Sequence, residues 1–409
     1  MKKTILVIVS FSFVCLLYFT GLPGIGSDKK ASFRDAPSDL PPIESLEYAD
    51  PDFQLPIPVA GDNSANAGKE GGALKMGPDA GQIAMMLAKN EAETKSFERE
   101  FSKSGGQKLE AQYRPFADYE DTGYLIMNSD FYFDSRQAKL EAAKALPPDG
   151  ILVILVASQD NALKERILNT FSAAIPKERI KVAAVRGAGN AFWARDAMPV
   201  PVFDKKSGAF TVIDAKYYHP FSADSEVAGL FGAKMESHDF YYEGGNFMAS
   251  DKGVCLMVNN DRHAIITDEI YKRYYGCEKV IRLPFLAGIG HVDEHARFVD
   301  EKTVLTDLPE YGPILEKEGL RPVMVPRPGG TYETHVNSLI IEGKAVVPVF
   351  GKSSDAQALA VYESVGLKPA GARSSSLSNT GQGSVHCITM TYPKVPAAEL
   401  MKALGAEEF

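Results

Sequence analysis

Over most of its length the chain alternates two kinds of pattern. Short apolar runs fall at residues 124–127, 151–156, 181–185, 210–213, 254–258, 280–283, 303–305, 323–325 and 345–349. Between several of them, at 135–146, 161–174, 265–275 and 355–365, apolar positions recur at helical intervals and turn residues follow. Runs of five or so aliphatic residues bounded by Gly, Pro, Asn or Asp read as strands, and the longer periodic stretches as helices. Strand–helix alternation at this density predicts an α/β domain from about residue 113 to the end of the chain at 409.

The first hundred residues follow other rules. Lys2 and Lys3 precede an almost unbroken apolar run from Ile5 to Thr20, and Gly21, Pro23, Gly24 and Gly26 then break it. Basic, apolar and small residues in that order predict a signal peptide over residues 1–26, hence export to the periplasm or beyond the cell. If the segment stays uncleaved it becomes an N-terminal anchor, the one membrane contact expected. Residues 27–112 read as a flexible linker plus one helix, because 35–63 holds six prolines and few clustered aliphatics to bury. The helix is carried by Ile83, Met86, Leu87, Phe97 and Phe101 and is expected to end at Gly105-Gly106.

Composition adds exclusions. A content of 45% hydrophobic and 24% charged residues is ordinary for a globular protein, and a net charge of −9 argues against nucleic acid as partner. No phosphate-cradling Gly-Lys-Ser/Thr motif or Gly-rich dinucleotide loop occurs, so nucleotide-dependent chemistry is not expected. Beyond the leader there are three cysteines, Cys255, Cys277 and Cys387. Either Cys255 and Cys277 pair and leave Cys387 free, or all three are reduced and buried.

Four polar clusters sit at strand ends or tight turns: Trp193-Ala194-Arg195-Asp196, Glu243-Gly244-Gly245-Asn246, Gly290-His291-Val292-Asp293 and His386-Cys387-Ile388-Thr389. A weaker fifth is Thr334-His335-Val336-Asn337. A thiolate attacks electron-poor carbon, and a histidine moves protons near neutral pH. Two carboxylates add little to acyl transfer, but they suit a guanidinium, whose planar fork of N–H donors pairs with them. A bound cation would also lower the pKa of the Cys387 thiol. The set therefore points to a guanidino substrate, small or peptidic. Gly244-Gly245 read as a backbone turn, and Arg195 and Asn246 as structural. His386 is left out, because on an extended segment it would point away from its neighbour Cys387.

The four clusters, in this order, resemble the Porphyromonas-type peptidyl-arginine deiminase and agmatine deiminase family, and Arg114-Pro115-Phe116-Ala117-Asp118-Tyr119-Glu120 is similar to its opening segment. The resemblance spans roughly residues 113–393. It implies a five-bladed β/α propeller, the pentein fold, with pseudo-fivefold symmetry and no metal or organic cofactor. It further implies Cys387 as nucleophile, His291 as acid and base, and Asp196 and Asp293 gripping the guanidinium. Trp193 would pack along the substrate's aliphatic stem, with Asn337 and Glu243 completing the binding set. Family members acting on a C-terminal peptidyl-arginine carry two arginines after the first aspartate motif. Tyr218-His219-Pro220-Phe221 aligns there, so His219 and Phe221 replace that carboxylate clamp.

The expected activity is deimination of arginine in peptides or proteins. The alternative is agmatine deimination, which would need a carboxylate for the distal amine, with Glu243 or Glu294 as suppliers. More distant alternatives are a metal-dependent hydrolase built on His291, Asp293 and His295, and a binding protein without turnover. The first of these lacks the helical His-Glu-x-x-His pattern.

Overall fold

The computed structural model describes residues 80–103, 110–185, 187–217, 224–260 and 262–395. The leader, the Pro-rich stretch, and His219 and Phe221 lie outside the described residues. Among the described residues no helix is long and apolar enough to cross a membrane.

Five small sheets repeat one pattern: a first strand antiparallel to a second, then a helix, then a third strand parallel to the second. One unit runs Val200–Asp204, Phe210–Lys216, helix Asp224–Leu230 and Lys234–Tyr241, with Tyr113–Pro115 added at its edge. The next runs Met248–Ala249, Val254–Asn259, helix Asp268–Tyr275 and Lys279–Pro284. Then come Ala296–Phe298, Thr303–Thr306, helix Tyr311–Lys317 and Arg321–Met324, and Leu339–Ile341, Lys344–Val349, helix Ser353–Ser364 and Lys368–Arg373. The remaining unit is closed by the end of the chain. Met390–Pro393 pairs antiparallel with Thr122–Asn128, which continues in parallel to Ile151–Val156 and Ile180–Ala184. This is the five-unit β/α architecture that the resemblance implied.

Local chemistry explains the elements. The middle strands lie between neighbours with helices on their faces, so Thr122–Asn128 is buried at every position. Asp160 caps helix Asn161–Phe171 by accepting the N–H groups of Ala162 and Leu163. Helix Asp268–Tyr275 stops where Gly276 takes φ +76°. The nine apolar runs all fall within observed strands or at their ends.

The N-terminal helix spans Ala80–Lys103. It belongs with the folded body, which therefore begins well before residue 113. The Asn90 amide bonds Tyr241 N–H and C=O at 2.7 and 2.9 Å and the Arg262 carbonyl at 3.2 Å, and the Thr94 hydroxyl donates to Ile265 C=O. A disulfide joins Cys255, in the strand Val254–Asn259, to Cys277, in the turn before Lys279–Pro284, and Cys387 is the free thiol among the described residues.

Candidate active site

Repetition of the unit places the chemistry. Immediately before the first strand of each unit lies a tight turn, and the five turns carry Asp196, Glu243 with Gly245, His291 with Asp293, Asn337, and Cys387. The first three are single turns of helix, at Ala194–Ala197, Gly244–Asn246 and Val292–His295. Asn246 holds the second of these by bonding both backbone groups of Val258 and the Val292 N–H, so its role is structural.

Cys387 is buried, with Sγ 3.5 Å from Asp293 Oδ2 and against the Asn337 amide, 3.1 Å from Nδ2. Asn337 Nδ2 also donates to Asp293 C=O, and its Oδ1 accepts the His386 N–H. The amide thus fixes nucleophile and carboxylate together. Burial pushes the Cys387 thiol well up, and the Asp293 and Asp196 carboxylates add to the shift.

Above it, the His291 ring lies between two carboxylates without a formed hydrogen bond: Nδ1 is 3.6 Å from Asp196 Oδ1 and Nε2 3.5 Å from Glu243 Oε2. Burial alone would lower its pKa, but Asp196, Glu243 and Asp293 override that and lift it to about 9. Burial raises Asp196 to about 6, against the pull of His291. Glu243 is held low despite its burial, by His291, Arg262 and His263; Arg262 Nε donates to it at 2.7 Å.

Three of these groups converge on one glycine. A methyl group on Gly245 would lie 2.7 Å from His291 Nδ1, 2.8 Å from Asp196 Oδ1 and 3.3 Å from Asp293 Oδ1. Gly245 also donates its N–H to Asp196 at 2.8 Å. Its want of a side chain therefore makes room for the site as well as for a turn. Gly383 does the same opposite Trp193, whose ring a methyl there would meet at 2.5 Å.

A cleft of about 260 Å³ opens onto Cys387, His291, Asp196 and Glu243, with Trp193 and Arg262 in its wall. Asp293 and Asn337 touch Cys387 without lining this cleft, and Asp293 Oδ1 is buried without a partner. All seven residues singled out in the sequence thus gather within one region. The sequence missed Arg262, which sits in a turn after a strand like any surface charge. It also missed Gln382, a lining residue held at φ +61°. Most of all, it misjudged His386. Residues 385–388 form a turn, so side-chain alternation does not apply, and the His386 ring reaches Asp293 Oδ2 at 2.7 Å and Asp118 Oδ2 at 2.9 Å. Asp118 is bound in turn by Arg195, Arg297 and Thr391. Arg195 therefore pairs with Asp118, not with its neighbour Asp196.

The grouping proposed for a metal does not assemble. The Val292–His295 turn sends His295 Nδ1 to Asp307 at 2.7 Å, and no cluster of His, Cys, Asp or Glu able to hold an ion occurs among the described residues. What does assemble is a thiol, a proton-carrying histidine and a surplus of carboxylate, a set suited to a cation with an electron-poor carbon.

The sequence profile of the Porphyromonas-type peptidyl-arginine deiminases matches residues 132–393. None of the curated proteins matches. Among solved structures, the chain is similar to the C. jejuni agmatine deiminase, with TM-score 0.57 and 18% identity over 69% of this chain and 96% of that one. The Enterococcus faecalis agmatine deiminase gives 0.56 and 18%, again over 69% and 96%. A Porphyromonas gingivalis protein described provisionally as an arginine deiminase gives 0.58 and 20% over 69% and 98%. At these identities the likeness speaks for the fold, and the fold is that of the penteins.

Proposed function

The chain belongs to the Porphyromonas-type peptidyl-arginine deiminase family and is a hydrolase of guanidino groups, and from that premise we propose that it converts arginine within peptides or proteins to citrulline, releasing ammonia. The observation that carries the choice of substrate is Arg262. An agmatine site needs a free carboxylate for the distal ammonium. Of the two acidic side chains lining the cleft, Asp196 faces His291, while Glu243 is already paired with Arg262. Glu294, the other candidate, is buried and accepts the N–H groups of Ile289 and His291. With Glu243 neutralised by Arg262, the lining offers no free carboxylate to a second ammonium, whereas the neutral amides that flank an arginine residue need none.

The chemistry follows from the electrostatics. A guanidinium between Asp196 and Asp293 brings positive charge beside Cys387 and reverses the upward shift of its thiol. The thiol gives up its proton to solvent as the cation binds, and the thiolate adds to the guanidinium carbon. His291, cationic in the empty site, gives a proton to the departing amine, and the C–N bond breaks to leave a thiouronium on Cys387. The neutral imidazole then takes a proton from water, which adds to the same carbon and expels the sulfur, and the proton of the new hydroxyl passes to that sulfur as the ureido carbonyl forms. Trp193 flanks the stem, and Asn337 steadies the sulfur. No step calls for a metal or organic cofactor.

We infer from the apolar leader that this reaction runs outside the cytoplasm, and the Cys255–Cys277 disulfide supports that reading, since such bonds persist mainly in oxidising compartments. N-terminal sequencing of the mature protein tests the cleavage. Substrate class is tested by kcat/KM for agmatine, free arginine and an acetylated arginine amide. We expect the blocked amide to lead. Agmatine ahead by more than about a hundredfold, roughly 2.7 kcal/mol in transition-state binding, would overturn the choice.

A further inference from the structure

We propose that His386 is a positioning residue that sets the guanidinium-binding carboxylate of Asp293, itself held from behind by Asp118. The inference rests on the reading of Asp293 given above. Asp293 Oδ2 accepts from His386 Nδ1 at 2.7 Å, while Oδ1 has no protein partner and lies on the same side of Gly245 as His291 Nδ1 and Asp196 Oδ1. One oxygen is therefore tethered and the other left for the substrate. A carboxylate tethered at one oxygen keeps its plane, and a guanidinium bound through paired hydrogen bonds is sensitive to that plane.

The tether is itself fixed. His386 Nε2 is 2.9 Å from Asp118 Oδ2, and both oxygens of Asp118 are further occupied, by Arg195 and Thr391 on one and by Arg297 on the other. A neutral imidazole carries one N–H and would turn a lone pair toward one of the two carboxylates. Burial and the guanidinium groups of Arg195 and Arg297 oppose a charge on the ring, the Asp118 carboxylate favours one, and the shorter contact, 2.7 Å, sets Nδ1 as the donor to Asp293. Asp118, His386 and Asp293 thus form a hydrogen-bonded line to the sulfur, since Asp293 Oδ2 is also the oxygen 3.5 Å from Cys387 Sγ.

Two amide variants separate this role from simple packing. In His386→Asn the amide nitrogen takes the place of Nδ1 and can still donate to Asp293. In His386→Gln it takes the place of Nε2 and serves Asp118 instead. We expect kcat/KM of His386→Asn within about tenfold of wild type and that of His386→Gln down by about a hundredfold or more, the scale of a misplaced binding group. Inactivation by a cationic haloacetamidine should fall in parallel with kcat/KM in His386→Gln, while inactivation by neutral iodoacetamide stays near wild type. A structural role alone would lower both variants in step with their melting temperatures. Equal loss in the two variants, or the glutamine variant the more active, overturns the proposal while leaving the deiminase reading intact. A wild-type protein that releases no ammonia from any guanidine sinks that reading as well. Should neither variant fold, Asp118→Asn carries the test: we expect a tenfold or larger loss of kcat/KM, and wild-type activity would overturn the proposal.

Discussion

Gly245→Ala is the sharpest probe of the convergence at the site. The residue is not among those with positive φ, so alanine is allowed by the backbone and only the added methyl matters. That methyl would stand 2.7 Å from His291 Nδ1 and 2.8 Å from Asp196 Oδ1, where ordinary contact begins at 3.4 Å, so one or both groups must retreat by about 0.7 Å. Neither is the loose end of a flexible chain: His291 is buried, and Asp196 is largely so and tied to the Gly245 N–H itself. Displacing a catalytic group by about 1 Å costs on the order of a hundredfold in rate, or about 2.7 kcal/mol in barrier. Overpacking costs stability too, about 1–3 kcal/mol. Ammonia release under steady-state conditions, read beside the melting temperature, separates the two effects. Gly189→Ala is the control, since a methyl there meets nothing within 4 Å. If Gly245→Ala keeps kcat/KM within threefold of wild type, the three groups do not act together on a substrate at this point.

Four further outcomes follow from the same geometry. Cys387→Ala should lower turnover by roughly a thousandfold or more with little change in melting temperature, and near-normal ammonia release would end the covalent mechanism. Because burial and carboxylates keep the Cys387 thiol protonated, iodoacetamide should label the empty enzyme slowly at neutral pH, and a haloacetamidine at least about tenfold faster; equal rates would refute activation by the substrate's charge. Burial raises Glu294 from the usual 4.5 to about 7, so the folded state binds the extra proton and stability falls as pH rises through that window. Glu294→Gln should flatten the decline by up to about 3 kcal/mol, measured by denaturant unfolding at pH 5 and pH 8, and an unchanged slope would contradict the shift. Replacing Cys255 and Cys277 together by alanine opens a loop of 22 residues and should cost about 3 kcal/mol, with unaltered unfolding midpoints as the contrary result.

The local patterns of the chain placed nine of its strands and its longer helices, because an apolar run or a helical repeat is a property of neighbours in sequence, whereas short or polar strands such as Met248–Ala249 and Lys368–Arg373 carry no such run. Local patterns were also enough to name the chemistry, because a thiol, a histidine and paired carboxylates in turn-rich motifs suit few substrates better than a guanidinium. What sequence distance hides is which turns meet. Asp196, Glu243, His291, Asn337 and Cys387 come from five units spaced along some two hundred residues, and only closure by Met390–Pro393 against Thr122–Asn128 brings the last of them to the first. His386 was misread because the alternation of side chains holds for extended backbone, whereas here the chain turns and aims adjacent residues at the same carboxylate. Glu243 and Arg262 are 19 residues apart and look unrelated in sequence. Their pairing exists only because the third dimension sets one turn against another.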